Sequence, residues 1–377
     1  MRRYLHAQVE KDLGKKMVFI GGPRQVGKTT LARQFAVGDC YLDWDDAEDR
    51  ERILRRRFPD SPIWIFDEIH KYKNWRNLLK GLYDKNKGIR RILVTGSARL
   101  DLYRRGGDSL QGRYHFLRLH PLTLDELGVS AQSDLKALLE LGGFPEPYLG
   151  GEKFEAQRWS REYRQRILRD DIVSVETIEN LGGAEHLMIR LPDLVATPLS
   201  LNSLQEDIQV SHKTIGRWLE IFERFYAIYR LAPFGSPRVK AVKKAQKHYH
   251  YDWTLVTEPG PRFENLCANH LLKWCHFYED TQGRDLELRY FRDNEQREVD
   301  FIVTENSQPV LFVESKWNDK VVSPHLKYLK RKFPRVASYQ VLFESRYDFV
   351  NDEGIRLGPA CKLLEEMKAR IAAPGQS

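Results

Sequence analysis

The sequence predicts an α/β chain, with a parallel-sheet core at its start, a mostly helical middle and a second α/β domain at its end. Three observations predict it. Met17–Ile20 (MVFI) and Ile63–Phe66 (IWIF) are unbroken apolar runs of strand length, the pattern of strands covered on both faces. The first run leads through glycine-rich residues into a helical stretch, Thr30–Phe35. Near the end, a helix over Arg262–Cys275 is followed by three strand-like runs, a basic helix and a last strand.

Composition bounds the rest. At 377 residues, and about 100–200 residues per domain, two or three domains are expected. Hydrophobic residues make up 41% and charged residues 30%, which excludes global disorder. No apolar run approaches the ~18–20 residues of a membrane span, so no membrane association is expected. Residues 1–16 are charged throughout and show no secretory signal. Cys40, Cys267, Cys275 and Cys361 form no C-x-x-C pair, which argues against a disulfide scaffold or a zinc ribbon. A reducing cytoplasm is the expected compartment. The net charge is +8. Between Ser211 and His250 nine lysines and arginines face two acids, the footprint of a polyanion-binding face.

The first turn carries the most specific signal. Gly22-Pro23-Arg24-Gln25-Val26-Gly27-Lys28-Thr29 fits G-x-x-x-x-G-K-[ST] in full, with Thr30 opening the helix. Glycines let backbone N–H groups wrap phosphates without a Cβ in the way. Lys28 reaches the β- and γ-phosphates, and Thr29 offers its hydroxyl to Mg²⁺. The helix N-terminus adds a positive dipole end. ATP and Mg²⁺ are the expected cofactors.

The second apolar run ends in Asp67-Glu68, at the carboxyl end of a strand, where open α/β sheets place their chemistry. Asp67 would hold Mg²⁺ through water, and Glu68 would orient or deprotonate the attacking water. A third strand, Arg91–Thr95, runs into Gly96-Ser97. Ser97 is the first choice for sensing the γ-phosphate and Thr95 the second, with a helix N-cap the alternative for Ser97. Arg113, just before the strand Tyr114–Leu119, is a candidate arginine finger, in competition with Arg99, Arg104 and Arg105.

These segments resemble AAA+ ATPases. The signatures are GGPRQVGKTTLARQF (residues 21–35), IWIFDEIHKYKNW (63–75), ILVTGSARLDL (92–102), LQGRYHFLRLHPLTLDEL (110–127) and GGFPEPY (142–148). The order resembles, more closely, the prokaryotic AAA+ family whose members carry an appended domain of long-unknown function. The resemblance implies the strand order 5-1-4-3-2 and homo-oligomeric rings or partial rings, hexamers among the options, with ATP at subunit interfaces. It leaves no clear sensor-2 arginine.

In the middle, Leu122–Leu141 and Phe154–Val175 are expected to be helical and to form a lid. The Arg158 to Arg169 series among acids suits a solvated face. Ser200–Leu204 and a helix N-capped by Ser211, with Ile215, Trp218, Leu219 and Phe222 on one face, suit a helix-turn-helix. Its second helix would present His212, Lys213, Thr214 and Arg217 to DNA. Tyr226–Leu231 and the basic stretch Arg238, Lys240, Lys243, Lys244, Lys247 would form a wing. A helix-turn-helix that packs on protein is the alternative. His248, His250 and Asp252 suit a strand with tyrosine packing better than a metal site.

The last domain resembles the PD-(D/E)XK nuclease core in element order and in its Asp…Glu-x-Lys pattern. Glu314 and Lys316, two apart on a strand, share one side. Asp300 and Glu314 would ligate Mg²⁺, Glu264 would complete the shell, and Lys316 would position water or stabilise developing charge.

The expected domains are an AAA+ nucleotide-binding domain (1–120), a helical lid (121–190), a winged helix (191–250) and a nuclease-like domain (251–377). The expected function is ATP hydrolysis coupled to action on DNA: remodelling, translocation or branch migration, with cleavage open. Two alternatives stand beside it. One is a regulatory or defence nucleotide switch with a protein-binding C-terminal domain. The other is an ATP-gated, Mg²⁺-dependent nuclease.

Overall fold

The computed structural model describes residues 1–96, 110–128, 131–173, 178, 180–235 and 246–373. They form two compact units, Met1–Pro121 with Arg224–Tyr226, and Leu122–Glu223 with Ala227–Ser377. Among the described residues no helix is long and apolar enough to cross a membrane.

In the first unit α1 (His6–Leu13) precedes β1 (Met17–Gly21), and α2 (Lys28–Arg33) follows the glycine-rich turn. Then come β2 (Tyr41–Asp43), α3 (Ala47–Leu54), β3 (Ile63–Asp67), α4 (Trp75–Asn86), β4 (Arg91–Thr95) and β5 (Tyr114–Arg118). The strands pair in the order β2-β3-β4-β1-β5, all parallel, which is the 5-1-4-3-2 order. Every residue of β1 and β3 is buried, as their unbroken apolar runs require. Trp64, Phe66, Trp75, Leu79, Ile92 and Val94 pack in one core with Met17 and Phe19. The Asp46 side chain starts α3 by accepting from the N–H groups of Glu48 and Asp49.

The second unit opens with helices and closes on a sheet. The expected helix over Leu122–Leu141 is two: Gly128, at φ 64°, ends Leu124–Leu127, and a second helix runs Gln132–Leu141. A short helix, Pro145–Gly150, and then Lys153–Arg166 come next, after which the backbone widens into a π-helical stretch, Ile167–Ile172. Helices Leu201–Ile208 and His212–Arg224 follow, joined by a short turn in which Gln209 takes φ 59°. The Ser211 hydroxyl accepts from the Thr214 N–H at 3.1 Å. Ile215, Trp218, Leu219 and Phe222 are all buried.

A two-stranded antiparallel hairpin, β6 (Ile228–Leu231) and β7 (Lys247–His250), comes next. The side-chain amide of Asn265, on the long helix Pro259–Gln282, pairs with the His250 backbone as a neighbouring strand would. Asn265 Oδ1 accepts from His250 N at 2.9 Å and Asn265 Nδ2 donates to His250 O at 2.8 Å. The final sheet contains β8 (Leu286–Arg292), β9 (Glu298–Glu305), β10 (Gln308–Lys316), β11 (Ala337–Leu342), β12 (Phe349–Val350) and β13 (Ile355–Pro359). Its order is β12-β13-β11-β10-β9-β8. Strands β8, β9 and β10 are antiparallel neighbours, whereas β10–β11 and β11–β13 are parallel.

A buried ion cluster joins the start of this unit to the long helix. Lys273 Nζ lies 3.0 Å from both Asp125 and Glu126 and donates to Thr123 Oγ1. Lys368 reaches Asp125 at 2.9 Å. Burial raises the Asp125 pKa, but Lys273, Thr123 and Lys368 outweigh it and hold the carboxyl below the usual range. Removing one partner of such a cluster strands the others. Lys273→Met is therefore expected to cost about 3–5 kcal/mol of stability, with Asp125→Asn in the same chain recovering part of it. Chemical denaturation of the single and double variants checks this, and additive losses would refute the coupling.

Candidate nucleotide site and a second acidic cluster

The turn after β1 is shaped for something other than its own side chains. Gly22 sits at φ 139°, and a Cβ there would stand 2.3 Å from the Leu119 carbonyl oxygen, so no other residue fits. Gly27 caps α2 at φ 98°. Arg24, Thr29 and Thr30 are exposed, Gln25 is half-buried, and Pro23, Val26 and Lys28 are buried. Lys28 Nζ donates to the carbonyls of Gly22 (3.1 Å) and Pro23 (2.6 Å), at the heart of the turn. Arg3, which sequence motifs do not single out, clamps the turn from behind, donating to the carbonyls of Val26 and His120.

Asp67 lies across from this turn. Thr29 Oγ1 donates to Asp67 Oδ2 at 2.8 Å and Thr95 Oγ1 to Asp67 Oδ1 at 2.6 Å. The Tyr41 hydroxyl also donates to Oδ2. Burial, then the Asp67 charge, pushes the Tyr41 pKa upward and keeps its proton in place. Tyr41 went unnoticed because no motif contains it. The parallel register does place it, since Tyr41 pairs with Ile65 and Asp43 with Asp67. Glu68 leaves the strand at φ 53°, its N–H bound to the Thr95 carbonyl. Burial raises the Glu68 pKa, against the charges of Lys71 and Lys28. A raised carboxylate pKa brings the group nearer the working range of a general base. Lys71 stands 3.4 Å from Glu68 and also reaches Asp45.

These residues fit ATP and Mg²⁺. Lys28 brings an ammonium to the turn, and the Thr29–Asp67 hydroxyl–carboxylate pair is the sparse oxygen set that suits Mg²⁺. Ser97, Arg99, Arg104 and Arg105 lie outside the described residues; Thr95 is held on Asp67. Arg113 stands beside the opposite end of β1, with Tyr114 paired to Met17, about 16 Å of strand from Gly22. Its guanidinium forms a two-pronged pair with Asp84, at 2.8 and 3.1 Å. Within one copy it faces away from the phosphate turn.

In the second unit Lys213 and Arg217 are exposed, one turn apart on the helix His212–Arg224, and Thr214 is half-buried beside Ser211. Arg238, Lys240, Lys243 and Lys244 lie outside the described residues. Lys247 requires a correction. Counted above with the basic wing, it is fully buried because β7 turns it inward onto acids. His248 Nε2 meets the Leu191 carbonyl at 2.8 Å, Asp252 binds Ser160 and Thr254, and the Tyr249 ring stacks near Tyr229.

The acids around Lys247 are those expected to hold a metal. Lys247 Nζ is 3.2 Å from Glu264, 2.7 Å from Glu298 and 3.7 Å from Asp300. Tyr249 donates to Glu264 at 2.6 Å. Both the backbone N–H and the hydroxyl of Ser315 donate to Asp300 Oδ2 at 2.8 Å. Glu314 pairs with Lys316 at 2.9 Å and lies 3.4 Å from the Asp300 N–H. Burial, then the charge of Asp300, pushes Glu264 up to about 7 and Glu314 up to about 8. The acids of this cluster include Glu264, Asp300 and Glu314, the three expected to form a metal shell. The three are neighbours, but an ammonium already stands among them. Among the described residues no group of three or more His, Cys, Asp and Glu side chains is arranged to hold a metal ion.

Comparison with known proteins agrees with the first unit. Residues 14–128 match the AAA domain family. Residues 132–258 and 259–359 match two domains of unknown function, DUF8612 and DUF4143. An uncharacterized protein of Mycobacterium tuberculosis is 24% identical over 261 residues, 68% of this chain and 58% of that protein. The chain thus spans less than two thirds of that relative's length. An uncharacterized protein of Methanocaldococcus jannaschii is 25% identical over 349 residues, covering 82% of this chain and 77% of the relative. Among solved structures, a Walker-type ATPase of Pyrococcus abyssi is 12% identical with a TM-score of 0.38, covering 67% of this chain and 93% of its own. The Aeropyrum pernix ORC1 protein in complex with DNA is 12% identical with a TM-score of 0.34, covering 71% and 93%.

Tyr41→Phe removes one of three hydroxyl donors to Asp67 while leaving the ring in the fold. It is expected to weaken Mg²⁺–ATP binding about tenfold, the loss of roughly one hydrogen bond to a charged group. Titration with a fluorescent ATP analogue, with and without Mg²⁺, checks this. An equal loss in both arms would place the effect outside the metal side of the site.

Proposed function

We propose that this protein is an ATPase that acts on DNA. The observation that carries the ATPase reading is the set formed by Lys28 inside the glycine turn, Thr29 on Asp67, and Glu68 projecting from the same strand end. Lys28 exchanges the Gly22 and Pro23 carbonyls for β- and γ-phosphate oxygens. Mg²⁺ held beside Thr29 and Asp67 would neutralise charge on those oxygens. Glu68 orients a water and takes its proton as the oxygen attacks the γ-phosphorus and the bond to the β–γ bridging oxygen breaks, leaving ADP and phosphate. Arg113, far from the turn of its own copy, suits a finger supplied to a neighbouring copy in a homo-oligomeric ring.

The DNA reading rests on charge and its placement. We read helices Leu201–Ile208 and His212–Arg224 with the β6–β7 hairpin as a winged helix whose exposed Lys213 and Arg217 meet phosphates. The C-terminal α/β sheet is read as a nuclease-like fold that grips DNA rather than cuts it.

ATP hydrolysis with and without single-stranded, duplex and four-way-junction DNA, at two salt concentrations, tests the proposal. A DNA-dependent rise that fades with salt is expected. ATP turnover indifferent to every DNA would favour a nucleotide switch instead. Glu68→Gln is expected to bind ATP yet lose at least a hundredfold in turnover, and normal turnover would remove Glu68 from its role. Charge reversal at both Lys213 and Arg217 is expected to lower the salt slope of DNA binding by about 2. An unchanged slope, measured by anisotropy, would move the DNA face elsewhere.

A further inference from the structure

The acid cluster of the second unit has the chemistry of a divalent-cation site and the occupancy of an ion pair. Four carboxylates meet there, from three elements: Glu264 on the long helix, Glu298 and Asp300 on β9, and Glu314 on β10. Isolated buried carboxylates are too costly to persist without a counter-charge. Two lysines supply it. Lys316 Nζ lies at the edge, half-exposed, on Glu314. Lys247 Nζ lies inside, with oxygens of Glu264, Glu298 and Asp300 around it at 2.7–3.7 Å. The Tyr290 ring centre is 5.7 Å from the same nitrogen.

We propose that Lys247 is the resident cation of this cluster, standing where a divalent ion would have to sit, so that the native chain takes up no Mg²⁺ or Mn²⁺ there.

Three features hold it in place. Lys247 begins β7, and the other end of that four-residue strand is fastened to the long helix through His250 and Asn265. The backbone that carries Lys247 is thereby anchored beside the acids. The carboxylate oxygens are also engaged by other donors: Tyr249 on Glu264, Ser315 on Asp300, and Lys316 and the Asp300 N–H on Glu314. Finally, a divalent ion at the usual 2.0–2.1 Å from these oxygens would be packed against a like charge in a buried setting. The fold gathers these acids and answers them with its own side chain.

The test uses the full chain without nucleotide or DNA, so its outcome is independent of the ATPase reading. Free Mn²⁺ is followed by electron paramagnetic resonance during titration of the native chain, Asp300→Asn, Lys247→Met, and the double variant. The native chain and Asp300→Asn are expected to bind the same number of Mn²⁺ ions. Lys247→Met is expected to gain one site, at least tenfold tighter than any in the native chain, and to lose it again in the double variant. Thermal melting verifies that each variant is folded. A native chain that binds one Mn²⁺ more than Asp300→Asn would overturn the proposal, and this comparison needs no Lys247 variant. A folded Lys247→Met that gains no site would overturn it equally.

Discussion

Both oxygens of the Asp67 carboxylate are engaged by hydroxyls of the chain itself, and the first unit is arranged around that fact. Thr29 comes from the helix after the glycine turn, Tyr41 from β2 and Thr95 from the end of β4. Three elements are thereby indexed to the tip of a fourth, β3. The parallel order β2-β3-β4-β1-β5 makes this possible, because β2 and β4 flank β3: Tyr41 pairs with Ile65, two residues back from Asp67, and Thr95 with Asp67 itself. The glycine turn reaches that edge because β1 is the next strand over. Gly22 matters for the same reason: its backbone passes so close to Leu119 that a side chain there would push the turn off the sheet.

The second unit meets a different constraint. It buries acids that it cannot hydrate, and it answers each group with a lysine brought from a distant part of the chain. Lys273 on the long helix answers Asp125 and Glu126, and Lys247 on the hairpin answers Glu264, Glu298 and Asp300. Hydrophobic packing tolerates small shifts between elements, but an ion cluster with hydrogen bonds on most of its oxygens does not. Such clusters set register where apolar contacts alone would allow sliding. The long helix takes part in both clusters, through Glu264 and Lys273.

Much of this was legible in the sequence, and the reasons differ by element. The phosphate turn and the acidic strand were legible because their chemistry is local: contiguous residues at fixed spacing do the work. Four of the six described strands of the last sheet, β8 to β11, were legible as strand-length runs, whereas the short β12 and the strand β13 were not. Tyr41 and Arg3 were not, since each acts on a residue dozens of positions away through a register that only the folded sheet supplies. The break at Gly128 and the π-helical stretch at Ile167–Ile172 escaped because apolar spacing continues across both. The acid pattern Asp300…Glu314-x-Lys316 was legible as a pattern. Its meaning was not, because that depends on Lys247, which arrives from the other side of the long helix's start.

Lys247 also changes what the charge of the middle segment means. The run from Ser211 to His250 has a formal excess of basic residues, but a formal count treats every cation as surface. Lys247 is spent internally, and Arg230 is paired with Glu223 at 2.6 Å. Among the described basic residues there, Lys213, Arg217 and Arg224 are exposed, on a helix whose opposite face is apolar and buried. A formal charge count therefore overstates the basic surface of this segment, because a cation turned inward serves cohesion within the fold.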